Sequence, residues 1–404
     1  MVSEPHHEAL IGDEHATAGS KPRSGVEVDE RYYVVIDVDM DHLVDTGLPD
    51  LGMSRGPMTQ SEAIIERSRP GRFVAETMPL KLIEPFDEPD ALPAAGVTWG
   101  VEAVGALESP MTGAGITVAV LDTGIEPDHP AFAGIEVVEK DFTGEGNGDT
   151  HGHGTHCAGT IAGRDVDGTR FGVAQGVTRL LAGKVLGGEG GGTDTIAAAI
   201  QWAVDEGAHI ISMSLGIDFP GFVRRLQDAG WEVEPATSRA LAAYRDNLRL
   251  LEALASFVTA SFEFGRSAIL VAAAGNESER AAPEPYTIDV APPAASLGFI
   301  SVAALGQAGT DLEVAPFSNT GATVAGPGVG VTSAGLGGGL RTMSGTSMAT
   351  PHVAGVAALW AERLVAETGS VDPNLLSDRL VGNAVTVAGL AFADGGAGLV
   401  RAPV

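Results

Sequence analysis

The stretch Ile116-Thr-Val-Ala-Val-Leu-Asp122-Thr-Gly124 is a nearly continuous apolar run that stops on an acid and a turn. A run of that length, bounded by turn residues, reads as a strand buried on both faces, the kind a parallel sheet contains. Its strand portion is Ile116–Leu121, and outward from it the pattern repeats. Further candidate strands are Val177–Val185, His209–Met213, Ser267–Ala272, Phe299–Ala303 and Ala322–Ala325. Helical stretches lie among them at His153–Ala162, Thr193–Glu206 and Ser347–Ala366. Apolar strands alternating with helices predict an α/β fold, a parallel sheet with helices on both faces. Sites in such sheets assemble at the carboxyl ends of the strands, and Asp122 stands at one of those ends.

Two other segments end on chemistry that an acid can serve. His151-Gly-His153-Gly-Thr-His156 brings a base to the start of a small-residue helix. Gly345-Thr-Ser347-Met-Ala-Thr-Pro351 brings a hydroxyl to the start of a long apolar one, where Pro351 is tolerated only near the first turn. Asp, His, Ser is one of the chain orders in which a hydrolytic triad occurs. In it Asp122 would orient the imidazole, His153 would take the proton, and Ser347 would attack. A fourth group, Asn276, follows the apolar run Ser267-Ala-Ile-Leu-Val-Ala-Ala-Ala-Gly275 on the same edge. Its amide and the Ser347 N–H would stabilise an oxyanion. Each residue alone is ordinary: a turn Asp, an N-cap serine, a turn Asn. Together, and in order, they indicate a serine hydrolase. A metal held by His151, His153 and His156 fails on spacing, because the three do not share one helical face and no carboxylate or thiol set completes a shell. No catalytic metal is therefore expected; His151 reads as a loop histidine and His156 as a structural one.

These four segments resemble the subtilisin-like serine peptidases, the subtilases, from about Ala94 to the C-terminus. The resemblance implies a subtilisin-like parallel sheet, Asp122, His153 and Ser347 as the triad, and Asn276 as oxyanion donor. Trp99-Gly-Val-Glu-Ala-Val, Lys184-Val-Leu-Gly, Phe317-Ser-Asn and Gly328 after Pro327 are similar to family stretches too. Ser214-Leu215-Gly216 looks like the family's edge strand for an extended substrate, and Ala273-Ala274-Gly275 joins it as substrate-binding. Cys157, four residues after His153, resembles the buried cysteine found beneath the catalytic histidine in some subtilases. No cofactor is required, and the partners are peptide or protein substrates. Calcium is frequent in the family; here Arg164-Asp-Val-Asp-Gly-Thr-Arg170 offers two carboxylates, but Ala131 stands where many relatives supply an Asp.

The remainder of the chain is organised around that domain. Residues 1–30 read as a disordered tail, 31–93 as an N-terminal extension or prosegment, and 94–404 as the catalytic domain. Arg31–Val38 reads as a strand. The catalytic domain carries a helical insertion at about 219–264, read as one amphipathic helix laying a Leu stripe on the sheet. Leu82-Ile-Glu-Pro85-Phe86, followed by Leu92-Pro93, looks like the short inhibitory extensions of intracellular subtilisins, with Glu84 as an additional residue. The extension is thus a candidate inhibitor of a zymogen. No Sec-type signal is visible, which makes a cytoplasmic location the expectation over secretion. The net charge of −29, from 53 acidic and 24 basic residues, disfavours nucleic acid and anionic membranes as partners. Two rival readings share the sequence: a catalytically silent peptide-binding module, and a maturation protease that grips one partner through the insertion.

Overall fold

The structure, a computed structural model, describes residues 31–38, 51–88, 95–188, 190–266 and 268–404. The tail at 1–30, Leu92-Pro93 and Ser267 lie outside the described residues. Arg31–Val38 (β1) pairs antiparallel with Leu51–Met58 (β2) and with Arg72–Glu76 (β3), and helix Gln60–Arg67 (α1) links β2 to β3. Helix α1 begins at a capping box in which Thr59 and Glu62 satisfy each other's orphan backbone donors. Alternate residues of β1 face opposite ways, as a strand requires. Tyr33 and Val35 meet Ala63 and Val74 in a small core of their own, whereas Val34 and Ile36 join the core of the main domain. The extension is half a sandwich, completed by what it rests on. Two further strands, Pro79–Leu82 (β4) and Phe86–Asp87 (β5), leave this layer and enter the main domain.

The main domain is built on the sheet that the apolar runs foretell. Its strands are Thr117–Asp122 (β6), Glu136–Asp141 (β7), Arg179–Lys184 (β8), Ile210–Met213 (β10), Ile269–Ala273 (β12), Phe299–Ala308 (β13), Asp311–Val314 (β14) and Val324–Pro327 (β15); the short strands Gly191–Gly192 (β9) and Leu215–Ile217 (β11) lie outside it. The order is β14-β13-β12-β10-β6-β8-β7, with β15 also paired to β13. Every pairing is parallel except that of β13 with the edge strand β14. Val118 and Val120 of β6 face one core, with helices His153–Ala162 (α2) and Thr346–Thr368 (α6). Ala119 and Leu121 face the other, with Thr193–Asp205 (α3) and the insertion. Two strands, Val331–Ala334 (β16) and Leu340–Ser344 (β17), form a hairpin that β5 extends. Among the described residues no helix is long and apolar enough to cross a membrane.

The insertion is two helices, not one. Phe219–Asp228 (α4) starts on an Asp218 side chain that accepts from the Gly221 N–H, and it ends before Gly230, whose φ of 91° no other residue adopts readily. Val233–Ala260 (α5) then runs for 28 residues and buries Leu250, Leu251 and Leu254 on the sheet. Its outer turns receive the extension. Arg239 grips Glu76 at 2.5 Å while its guanidinium lies 5.1 Å from the Trp231 ring. Asn247 Nδ2 donates to the Glu76 carbonyl at 2.7 Å, and Arg67 pairs with Asp246 at 2.7 Å. Glu76 is buried, so an Arg239→Ala variant leaves its carboxylate out of water without its closest partner, Arg31 lying farther off at 3.5 Å. In a Ser347→Ala background, urea unfolding of that variant should show a loss of about 2 kcal/mol; an unchanged midpoint would mean the extension is not held there.

Candidate active site

Asp122 ends β6 and His153 opens α2, and the two elements touch because glycine stands at both points of contact. A Cβ on Gly154 would come 2.1 Å from the Gly124 carbonyl, and one on Gly124, at φ 109°, 2.2 Å from the Gly148 carbonyl. With that approach His153 Nδ1 donates to Asp122 Oδ1 at 2.7 Å, and both side chains are fully buried. Asp149 locks the pair from behind. It accepts from the N–H groups of His151, Gly152 and Thr155 at the start of α2 and from the hydroxyl of Thr123, the residue after Asp122. Burial pushes the Asp149 carboxyl up, but these donors outweigh it and hold it below the usual value. Asp149 is a positioning residue that the motifs alone do not mark; the signal for it is an acid four residues before a helix-opening histidine.

Ser347 lies on the first turn of α6, which the structure starts one residue earlier than the sequence suggests. Pro351 therefore sits in the second turn, not the first, and has no N–H for the Ser347 carbonyl. Two other groups take that oxygen: Ser214 Oγ at 3.3 Å and Cys157 Sγ at 3.4 Å. The proline is tolerated because its missing bond is replaced. Cys157 is buried beside the imidazole, 3.8 Å from His153 Nδ1, and burial pushes its thiol up, so it stays neutral. On the other side Thr346 fixes Asn276: its N–H and hydroxyl both donate to Asn276 Oδ1 at 2.8 Å. The Asn276 amide nitrogen is thereby turned into the cleft.

The cleft is filled by the chain's own β4. It lies antiparallel between β9 and β11, with Leu82 opposite Leu215, Lys81 opposite Gly216 and Leu80 opposite Ile217. Ile83 N–H approaches the Ser214 carbonyl at 3.5 Å. Its side chain lines a cavity of about 390 Å³ with Gly216, Ala273, Gly275, Phe219 and Tyr244. Ala274 does not line it; this residue is buried in the core behind, where its carbonyl accepts from Asn319. Phe219 and Tyr244, stacked edge to face at 5.8 Å, show that the insertion forms one wall. Lys81 pairs with Glu277 at 3.2 Å.

Around Ser347 the contacts divide. Ser347 Oγ donates to the Ile83 carbonyl at 3.0 Å, whereas Asn276 Nδ2 donates to the next one, that of Glu84, at 2.9 Å. His153 Nε2 has no partner among the described residues. The other histidines are structural in their bonding. His156 Nε2 donates to the Val331 and Arg341 carbonyls, and burial first, then the His153 charge, lower its pKa to about 3. His151 is exposed. In the Arg164–Arg170 loop Asp165 accepts from Gln175 Nε2 at 2.7 Å, and the one cluster of three metal-ligating side chains among the described residues is Asp122, His153 and Cys157.

Comparison with known proteins finds one family throughout. The profile described as "Subtilase family" matches residues 113–396. The chain is 36% identical over 275 residues to M-protease of Shouchella clausii (strain KSM-K16), a match spanning 66% of this chain and 60% of that one. It is 35% identical to subtilisin BL of Lederbergia lenta over 66% of this chain and 84% of that one. It is 34% identical to the subtilisin-like serine protease Pen c 1 of Penicillium citrinum, over 61% and 52%.

Burial alone would push the His153 imidazole down, but the Asp122 carboxylate overrides it and holds the ring well above its usual 6.5. The charged pair stabilises the fold fully below about pH 6.5 and loses that contribution as pH rises through the elevated value. In the full chain carrying Ser347→Ala, NMR titration should find His153 changing charge above 6.5; adding Asp122→Asn removes the largest upward influence and should lower that value. A His153 that titrates alike in both proteins would show that the acid does not set its charge.

Proposed function

Because the chain belongs to the subtilase family of serine-type peptidases, we propose that it is a serine endopeptidase held as a zymogen by its own extension. The observation that carries the reading is the buried Asp122–His153 bond in the same cleft where Ser347 meets a peptide strand. In the proposed reaction Ser347 Oγ attacks the scissile carbonyl as its proton passes to His153 Nε2. Asp122 stabilises the imidazolium in its orientation. The tetrahedral oxygen is met by Asn276 Nδ2 and the Ser347 N–H. His153 returns the proton to the leaving amine, and water then releases the acyl group by the reverse sequence. No cofactor enters.

The divided contacts support the inhibitory role. Attack needs nucleophile and oxyanion donor at one carbonyl, and here they address two successive ones, Ile83 and Glu84. Neither peptide bond is presented for cleavage. Glu84 is the extra residue between an upstream segment, set by β11, and a downstream one, set by β17. The extension binds as substrates do, yet one residue out of step. A rigid Pro85 directly after Glu84 limits how the chain can shift to correct it.

An intact-mass time course of the full chain tests both parts. The wild type should lose a fragment ending near residues 80–95 slowly, and the Ser347→Ala chain not at all. Deleting Glu84 should bring both groups to one carbonyl and speed the loss by about 10², a magnitude carried over from subtilisin itself rather than from this geometry. Equal loss from the Ser347→Ala chain would assign the cut to another protease. A wild type that never changes, even without Glu84, would favour the silent peptide-binding module.

A further inference from the structure

We propose that this protease selects substrates with acidic residues just downstream of the scissile bond, and that Arg341 and Ser344 read them. The proposal rests on the peptidase reading and names a substrate class for it. Downstream of the reacting centre the extension does not leave the surface. It adds to the β16–β17 hairpin as a third strand, with Phe86 opposite Ser344 and Asp87 opposite Met343. The Glu88 N–H continues the ladder by donating to the Thr342 carbonyl at 3.1 Å. Backbone pairing therefore fixes which side chain falls beside which group of β17. Counted from the carbonyl that Asn276 holds, Asp87 and Glu88 are the third and fourth residues downstream.

Both meet groups suited to carboxylates. Arg341 Nη2 donates to Asp87 Oδ2 at 2.7 Å, and Asp87 is the only acid within ion-pair reach of Arg341 among the described residues. Ser344 Oγ donates to Glu88 Oε1 while accepting from the Gly330 N–H at 2.8 Å, so its proton is directed outward to the acid. Arg341 is beside the catalytic helix: a Cβ on Gly152 would lie 3.5 Å from its Nη1. In a chain with 53 acids against 24 basic residues, a cation reserved for the groove is a departure from the general charge. The upstream half has the opposite sign, since Glu277 faces Lys81. A basic-then-acidic polarity along the bound strand gives one direction and one register a preference. Once the extension departs, the groups it satisfied are free for a substrate with the same pattern.

The test uses the full chain after it has shed its extension, with two internally quenched peptides that differ only in the third and fourth residues after the cut. One carries Asp-Glu and the other Lys-Lys. The acidic peptide should be cleaved with a kcat/KM about fivefold higher, the difference lying in KM because these residues are remote from the reacting atoms. Arg341→Glu should reverse the ratio, Arg341→Lys should keep most of it, and added salt should compress it in the wild type. Equal rates on both peptides, or an unaltered ratio in Arg341→Glu, would overturn the proposal while leaving the peptidase standing. Failure to cleave either peptide would remove both together.

Discussion

Everything at the cleft depends on a helix being allowed to approach the end of a strand closely enough for one hydrogen bond. The Asp122–His153 contact at 2.7 Å exists because Gly154 presents no side chain to the end of β6, and Gly124 none to the loop at Gly148 that leads into α2. A buried carboxylate is costly unless it is paired, and this one is paired to the imidazole and to the N–H of Thr123. The same approach places Cys157 under the ring and brings Ser214 and Cys157 to the Ser347 carbonyl that Pro351 leaves open on α6. Strand β6 and helices α2 and α6 are thus tied through a few small or polar side chains. A methyl group at Gly154 would push α2 off the Gly124 carbonyl.

A second dependence runs through the insertion. Its long helix gives the sheet a face to pack on with its leucines, gives the extension an ion-paired seat with Arg239 and Asp246, and gives the cleft a wall through Tyr244. One element therefore couples the stability of the domain, the hold on the N-terminal extension and the shape of the cavity. The expectation of a single helix failed at Gly230, whose left-handed turn lets the shorter helix fold back and put Phe219 beside Tyr244.

The strands dominated by apolar residues were legible because burial on both faces leaves a nearly continuous run, and β6, β8, β10 and β12 fall within a few residues of where that pattern puts them. Glu136–Asp141 was not legible: an edge strand of Val between acids and a lysine has no such run. Gly191–Gly192 has no side chains to read at all. At the site, Asp122, His153, Asn276 and Ser347 stood out because each ends a recognisable segment, and the structure brings all four to one cleft. Asp149, Glu277 and Arg341 did not, since their meaning comes from neighbours over a hundred residues away or from helix-start geometry. The split between the Ile83 and Glu84 carbonyls is a matter of register between two separate strand pairings. Register across a loop is set by tertiary packing, so sequence spacing showed an extra Glu84 without showing what it does.

The strand in the cleft has partners along both of its edges at first and along one edge later, from Pro79 to Glu88, roughly ten residues or about 30 Å of extended chain. A peptide that takes its place must arrive with those backbone groups unclaimed. A segment inside a native helix or sheet has already committed them, and freeing ten residues costs whatever local opening of that protein costs. The groove therefore sorts its clients by conformation before any side chain is compared. A chain without ordered structure meets the condition at no cost, whereas a segment inside a folded domain meets it only when that domain opens.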